Sequence, residues 1–304
     1  VRTVVAFGEA LVDLIYRGNV FAGAYAGGSI VNTSVSLSRC GNQVQLITEF
    51  GSDDHGSFLK EFLSGNGVLT EYTITYSQRK TATAKAVLDT LGKASYTFHK
   101  DYPQIRFSNQ LPEIHNDAVF IFGSFSALDF ALRPALDHLL GTATRNHALI
   151  FYDPNIRKHC LTDEESQYQR IVEFMSLADI VRTSDEDMLG VFGTADPMKI
   201  WQTISPERCR LLVITYGGSH VHAFDGERML RLDVPPVEVV STIGAGDAFN
   251  AGMIHRLIRL SDGMSVEGRF PAQWVEAMLA TGMQFAAEVC GSISNYVSES
   301  FRPE

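Results

Sequence analysis

The sequence predicts an α/β fold, a mostly parallel sheet with helices on its faces, accompanied by a small second sheet of β-strands. Three observations predict it. Short β-branched apolar runs alternate with amphipathic segments along most of the chain. Two stretches, Leu11–Tyr25 and Thr81–Phe107, break that alternation: the first follows a strand without a helix, and the second alternates polar and apolar residues as hairpin strands do. Finally, 45% hydrophobic and 20% charged residues over 304 positions are the proportions of a folded globular chain.

In chain order, Val4–Gly8 reads as the first core strand. Leu11–Tyr25 then belongs to the second sheet. Ser29–Arg39 has helical spacing, and Gly41 stands where a helix C-terminal glycine belongs. Val44–Phe50 is a strand, Gly56–Ser64 a helix, and Thr81–Phe107 returns to the second sheet. Beyond it, strands at Ala118–Gly123, Ala148–Asp153, Ile180–Thr183 and Leu211–Tyr216 alternate with helices at Ala131–Leu140, Ser166–Ser176 and Met198–Ile204. Val237–Val240 reads as a strand leading through a glycine-rich turn into a helix at Ala248–Leu260. The tail, Asn295–Glu304, is expected to be weakly ordered. Residues 1–304 thus form one unit, with segments 11–25 and 81–107 as a lid over the carboxyl ends of the main strands, where open α/β sheets place ligands.

A net charge of −10 argues against nucleic acid or an anionic membrane as partner, because such surfaces require clustered Lys and Arg. The run Val1–Tyr16 is interrupted by Glu9 and Asp13 and lacks a small-residue cleavage site, so it reads as a strand rather than a leader. No stretch reaches the roughly 20 apolar residues of a membrane span. Cys40, Cys160, Cys209 and Cys290 are widely spaced and form no CxxC pair, which fits a reducing cytoplasm.

The chemistry concentrates at Ser241-Thr242-Ile243-Gly244-Ala245-Gly246-Asp247. Gly244 and Gly246 permit backbone angles that let successive N–H groups converge, and the following helix adds partial positive charge there. The turn is therefore an anion site. Asp247 stands at the start of the same helix, where a carboxylate can take a proton from a hydroxyl attacking a bound phosphoryl group. The alternative is a plain helix N-cap in a tight turn. Phe249 occupies the place of the third small residue of a dinucleotide fingerprint, and no GK[ST] follows the glycines, so neither a Rossmann nor a Walker A loop is present.

Two motifs in order, Gly27-Gly28-Ser29-Ile30-Val31-Asn32 and Ser241–Asp247, together resemble the signatures of the ribokinase-like carbohydrate kinases. Gly51-Ser52-Asp53-Asp54-His55-Gly56, Asp153–Arg157 and Thr215-Tyr216-Gly217 extend the likeness over nearly the whole chain. Gly8-Glu9-Ala10-Leu11-Val12-Asp13 is similar to the start of fructokinases. The resemblance implies a ribokinase-like three-layer α/β/α core with a β-sheet lid, and transfer of the ATP γ-phosphoryl group to a primary sugar hydroxyl, with fructose as leading acceptor. It assigns catalysis to Asp247, the Gly244-Ala245-Gly246 turn and Arg157, the last as a clamp on the transferred phosphate. It assigns sugar contacts to Asp13, Gly27, Gly28, Asn32 and, on the lid, Phe98. Ser184, Thr215, Gly217 and Asn250 are implied for the nucleotide, and Asp187 for Mg²⁺ through water. Lids of this family often pair between subunits, which implies a homodimer.

Departures bear on the details. Ser184 and Asp187 stand where the family commonly has Asn-x-x-Glu, His220 replaces a glycine, and Ser241 replaces a frequent aspartate of the monovalent-cation (K⁺) loop. Other acceptors open to the same machinery are 2-keto-3-deoxygluconate, ribose, nucleosides and ribosides. A protein that binds sugar or nucleotide with little turnover is the rival of a different class.

Overall fold

The computed structural model describes residues 2–88, 94–107, 111–156, 163–262, 264 and 266–303. The chain begins β1 (Thr3–Phe7), β2 (Leu11–Arg17), β3 (Val20–Gly27), α1 (Ser29–Arg39), β4 (Val44–Ile47), β5 (Glu49–Gly51) and α2 (Asp54–Gly65). It continues β6 (Ile74–Tyr76), β7 (Thr83–Leu88), β8 (Ala94–His99), β9 (Ala118–Gly123), α3 (Ser124–Leu128), α4 (Arg133–Arg145), β10 (Leu149–Asp153) and α5 (Glu164–Leu177). The last third holds β11 (Ile180–Ser184), α6 (Asp185–Phe192), α7 (Pro197–Ile204), β12 (Leu211–Tyr216), β13 (His220–Phe224), β14 (Met229–Asp233), α8 (Ala245–Leu260) and α9 (Ala272–Cys290).

Eight of these strands form the main sheet in the order β14-β13-β12-β11-β10-β9-β1-β4, parallel from β12 through β4. Period-2 alternation sends side chains to both faces, and both are buried, as a parallel sheet covered by helices requires. Val4, Ala6, Val119 and Ile121 pack with Ile30, Val31, Val35, Phe249, Met253 and Leu279 on one face. Val5, Phe7, Phe120 and Phe122 pack with Leu136, Leu139, Ile171, Phe174 and Ile200 on the other. The result is three layers, with α1, α2, α8 and α9 on one side of the sheet and α4, α5, α6 and α7 on the other.

The two segments that break the alternation do form a separate sheet, ordered β3-β2-β7-β8. The β7–β8 pair is the antiparallel hairpin expected of Thr81–Phe107. Several expectations are corrected. Val44–Phe50 is divided: β4 stays in the main sheet, while β5 leaves it to pair with β6. Val237–Val240 is not a strand. Val237, Val239 and Val240 are 42%, 56% and 58% exposed, and Pro235 and Pro236 before them offer no N–H to a ladder. The antiparallel strands β13 and β14 supply the edge instead. The tail is packed down. Val297 is fully buried, its N–H donates to Ser36 Oγ (3.4 Å) and its carbonyl accepts from Arg39 (2.7 Å).

Candidate active site

The carboxyl ends of β1, β9, β10, β11 and β12 converge where the N-terminus of α8 meets α1. Asp247 lies in the first turn of α8 and is half-buried. Ser29 Oγ donates to its Oδ1 (2.5 Å), and Asn32 Nδ2 donates to Oδ2 (2.8 Å). Thr33 Oγ1 donates to the Asp247 carbonyl (3.1 Å), so three residues of α1 fix this one residue. Burial, reinforced by the nearby Asp153 and opposed by the Ser29 and Asn32 bonds and by Arg182, pushes the Asp247 carboxyl up to about 6. A carboxylate in this range is a stronger base than an ordinary aspartate and is still ionised at neutral pH.

Gly244 takes the left-handed conformation (φ 80°), and a Cβ there would lie 2.4 Å from the Asn295 carbonyl oxygen. Both facts require glycine. The first-turn amides of α8 are those that no helix satisfies internally. Ala245 N–H turns back to Thr242 O (3.3 Å), whereas the Gly246 and Asp247 N–H groups have no hydrogen-bond partner among the described residues. Ala245 thus spends its amide within the turn, and the Gly246 and Asp247 amides stand available beside the carboxylate.

Beneath the turn is a buried polar cluster. Arg182, from β11, donates Nη1 to Asp153 Oδ2 (3.1 Å) and Nη2 to Thr215 Oγ1 (2.8 Å). Asn250 Nδ2 donates to the same Asp153 oxygen (2.5 Å). Asn250 is thus sealed inside and holds Asp153, a different place from the nucleotide contact expected of it. Thr215 is likewise mostly buried and also donates to Thr183 O (3.3 Å). Ser184 caps α6, its Oγ accepting from Asp187 N–H (3.1 Å), so these two stand together at the end of β11 beside Thr215 in register. Gly217, at φ 54°, turns the chain from β12 into β13.

On the other side, Gly28 is the N-cap of α1 with φ 112°, and a Cβ there would meet Glu9 O at 2.3 Å. Its carbonyl accepts from Asn32 N–H (2.9 Å), which ties the paired glycines to the Asp247 contact. Asp13 on β2 packs across Gly27: a Cβ at Gly27 would lie 2.2 Å from Asp13 Oδ2. Burial pushes the Asp13 carboxyl up to about 6. Phe98 stands on β8, 60% exposed. Arg157 lies outside the described residues.

Asp247, Asn32 and the glycines stand where the sequence motifs put them, whereas Ser29, Arg182 and Glu9 join the site without an assigned role in those motifs. Glu9 follows β1, accepts from Ser124 Oγ (3.1 Å), and burial raises its carboxyl above the ordinary range. Ser124 sits at φ 56°, an uncommon angle for a residue with a Cβ. The signals available were Ser29 within the paired-glycine motif and Glu9 within Gly8–Asp13.

Comparison with known proteins gives this geometry a context. A fructokinase of Rhizobium leguminosarum bv. trifolii is 30% identical over 260 residues, covering 82% of this chain and 78% of that protein. Fructokinase-1 of Zea mays is 28% identical over 308 residues, covering 96% and 91%. Among solved structures, aminoimidazole riboside kinase of Salmonella enterica, with aminoimidazole riboside and an ATP analogue, superposes with a TM-score of 0.84 at 22% identity, covering 99% and 97% of the two chains. Fructokinase of Vibrio cholerae O395, with fructose, ADP and calcium, gives 0.79 at 20%, covering 98% and 96%. These neighbours share the ribokinase-like α/β fold. Residues 2–298 match the family described as pfkB family carbohydrate kinase, and with that match over nearly its whole length the chain belongs to this family.

Proposed function

We propose that this chain transfers the γ-phosphoryl group of ATP to a primary hydroxyl of a small sugar, with fructose as the acceptor. The observation that carries the reading is the meeting of a base and an anion site on one helix end: Asp247, held by Ser29 and Asn32, beside the unpartnered Gly246 and Asp247 amides. The relatives named fructokinase support the choice of acceptor.

In the step proposed, the sugar hydroxyl oxygen attacks the γ-phosphorus while its proton passes to Asp247, and the bond to the bridging oxygen breaks to release ADP. The two amides receive the charge of the phosphoryl oxygens. Asp13, with the backbone of Gly27 and Gly28, holds the sugar hydroxyls, and Asn32 orients the base. Arg157 is proposed as a phosphate clamp, and Ser184 and Gly217 as nucleotide contacts.

Ser184 and Asp187 fit a magnesium ion held through water and substrate phosphates. They offer oxygen donors at one strand end, yet the described residues contain no group of three or more His, Cys, Asp or Glu able to hold a metal ion. When bound, that ion neutralises phosphate charge. The second sheet acts as a lid that excludes water. Val20, Phe21, Tyr25 and Phe98 leave apolar surface exposed on this sheet, and a homodimer formed through it would cover that surface. Unbridged Cys40 and Cys209, both buried, fit a cytoplasmic setting, and no helix of the described residues is long and apolar enough to cross a membrane.

A coupled ADP-release assay with ATP and Mg²⁺ tests this against fructose, ribose, 2-keto-3-deoxygluconate, nucleosides and ribosides. Fructose is expected to turn over at least about tenfold faster than the others. A different preferred acceptor overturns the choice of fructose, and binding without turnover of any acceptor overturns the kinase step.

A further inference from the structure

The cluster under the anion turn contains a charge arrangement that the proposed step does not yet use. Asp153 and Arg182 are both buried, and they face one another across adjacent parallel strands. Arg182 passes directly behind the turn: a Cβ on Gly246 would lie 2.7 Å from Nη1 and 3.1 Å from Nη2. A side chain at 246 would therefore have to displace the guanidinium. The guanidinium plane also lies over the Phe249 ring, 5.5 Å from its centroid. Its Nε is buried without a partner, so the side chain is positioned by Asp153, Thr215 and the turn, not by full hydrogen-bond saturation.

We propose that Arg182 is a positioning residue for phosphoryl transfer, balancing the charge of the Asp153 carboxylate so that the Gly244–Asp247 turn faces a neutral interior instead of an anionic one. This rests on the kinase reading above. Among the described residues, Asp153 and Arg182 are the charged groups that bear on Asp247. From α1 only the neutral Ser29, Asn32 and Thr33 reach it. From α9, Gly282 and the Thr281 carbonyl meet Phe249 and Gly252 of α8. With Arg182 removed, Asp153 becomes a buried, uncompensated anion next to both the transferred phosphate and the base. Phosphate binding then weakens, and Asp247 holds its proton to higher pH.

The test is the pH profile of kcat/KM for Arg182→Gln, Arg182→Gln with Asp153→Asn, and Arg182→Lys, each checked for folding by circular dichroism. Arg182→Gln is expected to lose about 100-fold in kcat and to move the acidic limb upward by about one pH unit. Adding Asp153→Asn removes the stranded anion and is expected to return the limb to its parental position and recover about tenfold in kcat. Loss of activity with the acidic limb unmoved, or a double variant no better than the single one, overturns the proposal in favour of a merely structural role. Should Arg182→Gln not fold, Arg182→Lys decides: the charge is kept, so a lower kcat with an unmoved limb is expected, and a limb displaced as far as one pH unit overturns it. An inactive wild-type protein would refute the kinase reading itself, a result distinct from any of these.

Discussion

Asp247→Asn separates the catalytic role of this residue from its cost to the fold. The native carboxyl binds its proton more tightly than an ordinary aspartate, rising from 3.8 to about 6. The ionised native form therefore carries a penalty that is full above pH 6 and gone below pH 3.8, so it shrinks as the pH falls through that window. At about 1.36 kcal/mol per pH unit the penalty at neutral pH is about 3 kcal/mol. Asparagine removes the charge and keeps the shape. Its oxygen still accepts from Ser29, and its amide faces Asn32, whose Oδ1 has no partner, so a flip of Asn32 satisfies the pair. Allowing about 1 kcal/mol for weaker neutral hydrogen bonds, the variant is expected to be more stable than the parent by roughly 2 kcal/mol at pH 7.5. Urea unfolding at pH 7.5 and pH 5 measures this, with a smaller difference at the lower pH. Turnover in the coupled assay is expected to fall by at least about 100-fold. Near-normal turnover refutes the base assignment, and a less stable variant at pH 7.5 refutes the account of the buried charge.

Other outcomes follow from the same geometry. The wild-type acidic limb of kcat/KM is expected near pH 6, and a limb below pH 4.5 contradicts the environment described for Asp247. Asp13→Asn is expected to raise the acceptor KM by about tenfold or more while leaving the KM for ATP unchanged; equal effects on both substrates would remove Asp13 from the sugar site. Gly28→Ala places a methyl group 2.3 Å from Glu9 O at φ 112° and is expected to cost several kcal/mol (about 3 or more) in thermal or urea unfolding. EDTA is expected to abolish turnover and added Mg²⁺ to restore it, measured by the same ADP release.

What could be read from the sequence was what is local. The alternation of strands and helices, the second sheet and the Gly244–Asp247 turn all rest on spacings of a few residues, and the structure places each near its expected position. Val237–Val240 misled because β-branched residues mark strands only when a partner strand is present, and here Pro235 and Pro236 precede a segment bonded to Cys290 O instead. Val44–Phe50 was continuous in composition but divides between two sheets, a choice made by its neighbours. The cluster under the turn is the plainest case. Asp153 and Arg182 are 29 positions apart, and only the parallel register Tyr152↔Val181 brings them together. Arginine in a strand gives no sign of which carboxylate it will meet. Asn250 shows the converse: its position one turn beyond Asp247 suggested either a nucleotide contact or a backbone cap, and packing turned it inward to Asp153.

Phosphorus NMR of the wild-type protein with ATP, Mg²⁺ and fructose follows the transferred group itself. The account predicts a new phosphomonoester resonance that grows one for one with ADP. ADP accompanied only by inorganic phosphate, with no ester formed, would contradict it.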